Sequence, residues 1–179
     1  MEQRLVWIDL EMTGLDPENE VILEIASLVT DGDLRIVAEG PNIAVHHPDS
    51  VLEAMEEWSR IHHEASGLTG RARASSRDTR QAQQETLAFL RKHCKPGSSP
   101  LCGNSIWQDR RFLIKHMPEV EAFLHYRNID VSTVKELVRM WYPELPPYPK
   151  EKAHLALADI RESINELKHY RQAVFRDAP

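Results

Sequence analysis

Bulky apolar residues crowd the first third of the chain. Residues 4–10 form one run and residues 21–30 a second, rich in Val, Ile and Leu, and both predict strands. Asp31-Gly32-Asp33 is a hairpin signal, after which residues 34–38 return; residues 42–46 are a shorter strand candidate. The pattern then changes. Residues 49–65 lack alternation and predict short helices ending near Gly67. Residues 77–93 predict a longer helix with Ala82, Thr86, Phe89 and Leu90 on one face. Leu101-Cys102 predicts a short buried strand. Ser105-Ile106-Trp107-Gln108 fits a capping box, so a helix is expected to start there and run to about His116. Residues 126–131 predict a further strand. Thr133-Val134-Lys135-Glu136 is a second capping box, opening a helix whose apolar stripe is Val134, Leu137, Val138 and Trp141. The last helix carries Ile160, Ile164, Leu167 and Val174. Residues 95–100 read as a loop, and so do residues 143–149, where four prolines fall in seven positions. A strand meander followed by alternating helices and strands predicts a three-layer α/β arrangement around a sheet of mixed direction.

Composition narrows the function. The 179 residues fit one domain. No apolar run approaches the ~20 residues that span a bilayer, so no membrane partner is expected. The opening residues are interrupted by acids and lack a signal-peptide pattern. Cys94 and Cys102 match no zinc spacing and read as reduced cytosolic thiols, which predicts a cytoplasmic protein. With 22 basic and 28 acidic residues the net charge is −6, which argues against a duplex DNA binder. A nucleic-acid enzyme whose acidic site holds metal ions stays open, because the ions supply the positive charge.

The acids carry the chemistry. Asp9 and Glu11 sit two apart in the first strand, so both carboxylates point to one face, and Leu5 and Trp7 share it. Two carboxylates on a half-buried face are costly unless a cation compensates, and hard oxygen ligands select Mg²⁺ or Mn²⁺ over zinc. Taken alone, the pair fits an exposed strand end as well. Asp109 falls in the first turn of the helix begun at Ser105, where the helix dipole suffices to explain an acid. His154 and Asp159 are five residues apart, about 140° on one regular helix, so they cooperate only if His154 precedes the helix.

The order is more specific than its parts: Asp-x-Glu on a first strand, Asp at a middle helix start, His-x-x-x-x-Asp at the last helix. In this order the chain resembles the DEDD exonucleases with a catalytic histidine. Whole segments are similar to the oligoribonuclease family among them. These are Trp7-Ile8-Asp9-Leu10-Glu11-Met12-Thr13-Gly14-Leu15, Ala65-Ser66-Gly67-Leu68, Cys102-Gly103-Asn104-Ser105, Gln108-Asp109-Arg110-Arg111-Phe112, Asp130-Val131-Ser132-Thr133 and Asp159-Ile160-Arg161-Glu162-Ser163. The resemblance runs from Leu5 to about Arg171. It implies a single exonuclease domain over residues 1–179, with a ribonuclease H-like fold and a mixed five-stranded sheet flanked by helices.

The implied activity is stepwise 3′-to-5′ hydrolysis of very short oligoribonucleotides, dinucleotides favoured, to 5′-mononucleotides. Two divalent cations, Mg²⁺ or Mn²⁺, are the implied cofactors, held by Asp9, Glu11, Asp109 and Asp159, with His154 taking the proton of the attacking water. By the same resemblance Leu15 and Trp58 meet the bases, though core packing explains Trp58 as well. His63, Ser105 and Arg127 hold a 5′-phosphate, and Tyr126 reaches the site from the other subunit of a homodimer. The chain departs from the family pattern at Trp107, an indole where glycine is usual, and in the proline loop 143–149. Arg71, Arg73, Arg77 and Arg80 read as a solvated basic face first and a nucleic-acid contact second. Two other readings share these residues. One is a related exonuclease on longer single-stranded DNA or RNA 3′ ends, for proofreading or tRNA trimming. The other is a non-catalytic domain of the same fold, against which the presence of all four acids and His154 stands.

Overall fold

A computed structural model describes residues 3–149 and 155–176. Its centre is a sheet of order β3-β2-β1-β4-β5, built from β1 (Arg4–Met12), β2 (Ile22–Asp31), β3 (Ile36–Ala44), β4 (Pro100–Gly103) and β5 (His125–Asp130). β1, β2 and β3 form an antiparallel meander; β4 lies parallel to β1, and β5 parallel to β4. The two predicted strands at 34–38 and 42–46 are one irregular strand. At its middle Gly40 passes so close to Ser27 and the Phe89 ring that a Cβ would stand 2.3 Å from the Ser27 hydroxyl. Leu34 closes the hairpin with φ 64°, its side chain buried.

Eight helices follow among the described residues: α1 (Asp49–Glu53), α2 (Glu57–Ala65), α3 (Leu68–Ala74), α4 (Thr79–His93), α5 (Ile106–His116), α6 (Pro118–Phe123), α7 (Val131–Trp141) and α8 (Ala156–Val174). Alternation along β1 separates two apolar layers. Val6, Ile8 and Leu10 pack with Leu87 and Leu90 of α4, Phe112 and Leu113 of α5, and Val120 of α6. Leu5 and Trp7 pack on the other face with Val138 of α7 and Ile160 and Ile164 of α8. The face that carries Asp9 and Glu11 is therefore the α7–α8 face.

α5 starts after Ser105 and runs to His116 as expected, while α7 starts two residues before the predicted Thr133, and neither predicted capping box forms. Ser105 takes a left-handed conformation (φ 50°, ψ 34°) and makes no side-chain cap, while Gln108 donates to the Leu15 carbonyl. α7 begins at Val131, capped by Asp130, whose Oδ1 accepts from Ser132 N at 2.9 Å. The box that does form is Asp78 with Gln81, at the start of α4. Leu145 and Tyr148 anchor the proline loop on the α7–α8 layer.

Candidate active site

The carboxyl ends of three parallel strands meet at one edge of the sheet. Asp9 and Glu11 close β1, residues 104–109 follow β4, and residues 130–132 follow β5. Such a meeting of strand ends is where α/β sheets place their sites. α8 crosses the same face and adds Asp159 from its first turn. Carboxylate oxygens of Asp9, Glu11 and Asp159 lie within 4.8 Å of one another, all three residues half-buried.

Asp109 is buried, and its position has a backbone cause. β4 pairs with β1 only as far as Trp7, so the Leu10 N–H has no strand neighbour on that side. It donates instead to Asp109 Oδ1 at 2.9 Å. Beside Glu11 in the ladder stands Glu24 of β2, fully buried, its charge met by Arg71 of α3. A glutamate inside the otherwise apolar strand Ile22-Leu23-Glu24-Ile25 was the sequence signal for it.

These acids resist ionisation. Burial first, then the charges of Asp109, Glu11, Asp159 and Glu24, raise the Asp9 carboxyl well above the usual carboxylate range. Burial and the charges of Asp159, Glu24 and Asp109 push Glu11 up to about 8, with Arg71 opposing. Burial lifts Asp109 to about 7 against the stabilising hydrogen bond from Leu10 N. Crowded hard oxygens that cannot all shed their protons are a donor set that a divalent cation fits.

The remaining predicted residues fall in three places. Leu15 is 73% exposed on the loop after β1, its carbonyl held by Gln108 of α5. Trp58 is 63% exposed and stacked on His62 at 3.9 Å, so it is not a core residue. His63 is buried; its Nε2 donates to the Met12 carbonyl at 2.8 Å, and Nδ1 stands 3.9 Å from Glu11 Oε2. Ser105 is exposed, its hydroxyl 3.2 Å from that of Ser132, a neighbour that sequence reading did not single out.

Tyr126 and Arg127 are exposed on the edge strand β5, the guanidinium 5.3 Å from the tyrosine ring centre. Arg110 fixes that strand by donating to the carbonyls of His125 and Tyr126 and to Asn128 Oδ1. His154 lies outside the described residues. The Trp107 indole is 56% exposed under the Arg111 guanidinium, turned to solvent while Asp109 is buried. The basic segment is not a free face: Arg71, Arg73 and Arg77 pair with Glu24, Asp49 and Glu85. A Cβ at Gly14 would come 2.8 Å from the Glu20 carboxyl carbon, so a larger residue there requires the Glu20 side chain to shift.

A mixed sheet with an acid cluster at its parallel strand ends defines a ribonuclease H-like nuclease, and a family model described as an exonuclease matches residues 6–167. The fold is also that of the zinc-bound exonuclease I–single-stranded DNA complex of Escherichia coli, at a TM-score of 0.75 and 14% identity over 98% of this chain and 42% of that one. Closer in sequence are proteins named oligoribonuclease. That of Marinobacter nauticus is 63% identical over 97% of each chain, and that of Dichelobacter nodosus 58% identical over 97% of this chain and 96% of its own. The chain belongs to the oligoribonuclease family of exonucleases.

Proposed function

We propose that this chain, as a single exonuclease domain, removes 5′-mononucleotides from the 3′ end of very short oligoribonucleotides, with 5′-phosphorylated dinucleotides preferred. The observation that carries the reading is the convergence of Asp9, Glu11 and Asp159 within 4.8 Å, with Asp109 buried beside β1. Asp9, Glu11, Asp109 and Asp159 would hold two divalent ions, Mg²⁺ or Mn²⁺, which when bound supply an acidified water and charge for the leaving oxygen. Asp9 shares the 4.8 Å cluster with Glu11 and Asp159, and the Asp109 charge bears on it as well. His154 takes the proton from the attacking water, since an imidazole titrates near the working pH.

Leu15 and Trp58 offer exposed apolar surface to the bases. Ser105, Arg127 and His63 receive the 5′-phosphate; His63 is buried, its Nδ1 3.9 Å from Glu11 Oε2. Tyr126, 72% exposed on its edge strand, completes the site of a second subunit in a homodimer. An active monomer in light scattering at assay concentration would exclude that assembly. No described helix is long and apolar enough to cross a membrane.

The test of the length preference is product analysis on a 5′-labelled series from about two to ten nucleotides. A capped 5′-phosphate leaves no exit for further nucleotides, so kcat/KM falls with length, and Arg127→Ala flattens the fall. An equal or rising kcat/KM along the series is the behaviour of an open groove, where each added phosphate and stacked base adds affinity, and would overturn the reading.

A further inference from the structure

Between the acid cluster and Ser105 lies a part-buried polar network centred on Asn104, with Ser163 and Glu166 at its buried end. Its side-chain Nδ2 donates to Ser163 Oγ at 2.8 Å and to Glu166 Oε2 at 3.0 Å, both on α8. Its Oδ1 accepts from Ser132 Oγ at 2.9 Å, at the start of α7. The Glu166 carboxylate is 1% exposed and also accepts from the Tyr170 hydroxyl at 3.1 Å. A carboxylate can only accept, so the Asn104 amide has one orientation, NH₂ toward α8 and oxygen toward Ser132. That commits the Ser132 proton to Asn104 and turns the Ser132 lone pairs toward Ser105, whose backbone N–H donates to them at 3.0 Å.

Two consequences meet at Ser105. A non-glycine residue in the left-handed region persists only where its surroundings hold it there, and here the holders are Ser132 Oγ and Asp130 Oδ1, which accepts from the same N–H at 3.0 Å. With the Ser132 proton taken, the Ser105 hydroxyl is left as the donor of the pair, able to turn outward to an anion. On the other side of Asn104, Ser163 lies one helical turn beyond Asp159 on the same face of α8. One amide thus bridges the residue offered to the 5′-phosphate and the helix that carries an acid of the cluster.

We infer that Asn104 is a positioning residue that sets both the donor direction of Ser105 and its separation from the acid cluster, and so enforces the preference for a short, 5′-phosphorylated substrate. This rests on the reading that Ser105 meets that phosphate.

The test compares Asn104→Ala, Tyr170→Phe and Ser105→Ala on dinucleotides with a 5′-phosphate or a 5′-hydroxyl, alongside calorimetric titration with Mn²⁺. In Asn104→Ala the ratio of kcat/KM for the two substrates should fall on the order of tenfold, the lower end of what an outer hydrogen-bond partner contributes. The fall should appear in KM, with kcat at saturation and Mn²⁺ affinity each within about twofold of the parent. Tyr170→Phe keeps its ring packed and removes one anchor of Glu166, so the same ratio should fall about two- to threefold, and this variant decides the matter if Asn104→Ala does not fold. An unchanged ratio in a folded variant, with Ser105→Ala losing it, overturns the role of Asn104. So does equal loss on both substrates with weakened Mn²⁺ binding, which marks a general support of the fold. A ratio unchanged in Ser105→Ala itself would instead overturn the phosphate reading, and this inference with it.

Discussion

Loading the acid cluster with a divalent ion should drive protons into solution. At pH 7 a carboxyl titrating at about 8 is roughly nine-tenths protonated and one titrating at about 7 is roughly half protonated, so Glu11 and Asp109 hold about 1.4 protons between them. Asp9, raised well above the usual range by burial and the neighbouring charges, titrates with them as one coupled cluster. Oxygen ligands bind the ion in their ionised form, so these protons leave. Calorimetric titration with Mg²⁺ or Mn²⁺ in several buffers of equal pH and different ionisation enthalpy counts them. Each proton released steepens the dependence of log affinity on pH by about one, so from pH 6 to 7 affinity should rise on the order of 10- to 100-fold and level off above about pH 9. Glu11→Gln should remove roughly one proton from the count. A binding enthalpy independent of the buffer, with affinity flat from about pH 6 to 8, would mean that the acids are already ionised, and would refute the argument from burial and repulsion.

The same groups set the stability of the metal-free protein. Glu11 and Asp109 titrate higher in the folded than in the unfolded chain, so the folded state holds more protons between about pH 4 and 8; stability is full below that window and is lost as pH rises through it. Melting temperature measured without metal should fall from about pH 5 to 8 and recover with Mn²⁺; a flat or rising profile contradicts this. Asp9→Ala or Asp159→Ala should abolish hydrolysis with the protein still folded by circular dichroism, and full activity of either at ordinary Mg²⁺ would sink the metal assignment. Trp7→Phe removes a fully buried indole whose Nε1 donates to Thr30 Oγ1 at 3.1 Å; urea unfolding should show a loss of about 1–3 kcal/mol from the unpaired hydroxyl and the void, and an unchanged midpoint would show that the site collapses.

Strand periodicity was the readable part of this chain. The alternation that put Leu5, Trp7, Asp9 and Glu11 on one face survives intact, because burial on both sides of β1 fixes its register. Helix starts were harder, because a capping motif is local and its side chains have other suitors. Ser105 faces Ser132, 27 residues on, and Gln108 reaches the Leu15 carbonyl. α3 and α6 are short and escaped notice: Gly67, φ 73°, ends one helix and caps the next, so a stop signal hid a start. The acids were legible as an ordered set, and their convergence was expected from the resemblance alone, since neither spacing nor periodicity brings residues of β1 and α8 together. The Arg71–Glu24 pair joins residues 47 apart, and no pattern in the arginine-rich segment reveals that its charges are spent on ion pairs. The residues around Asn104 carried no signal as individuals, since a part-buried amide becomes informative only when its partners are known.

The acid cluster draws on both ends of the chain. Asp9 stands on β1, the first strand, whereas Asp159 rides on α8, the last helix of the described chain. Contacts of such long sequence separation close late, after the intervening segments have condensed. The cluster of Asp9, Glu11 and Asp159 is therefore incomplete until α8 has packed on the sheet. Chain truncation upstream of α8 yields a fragment with the first-strand acids and no partner for them. The order of elements thus makes the docking of α8 the step that completes the cluster.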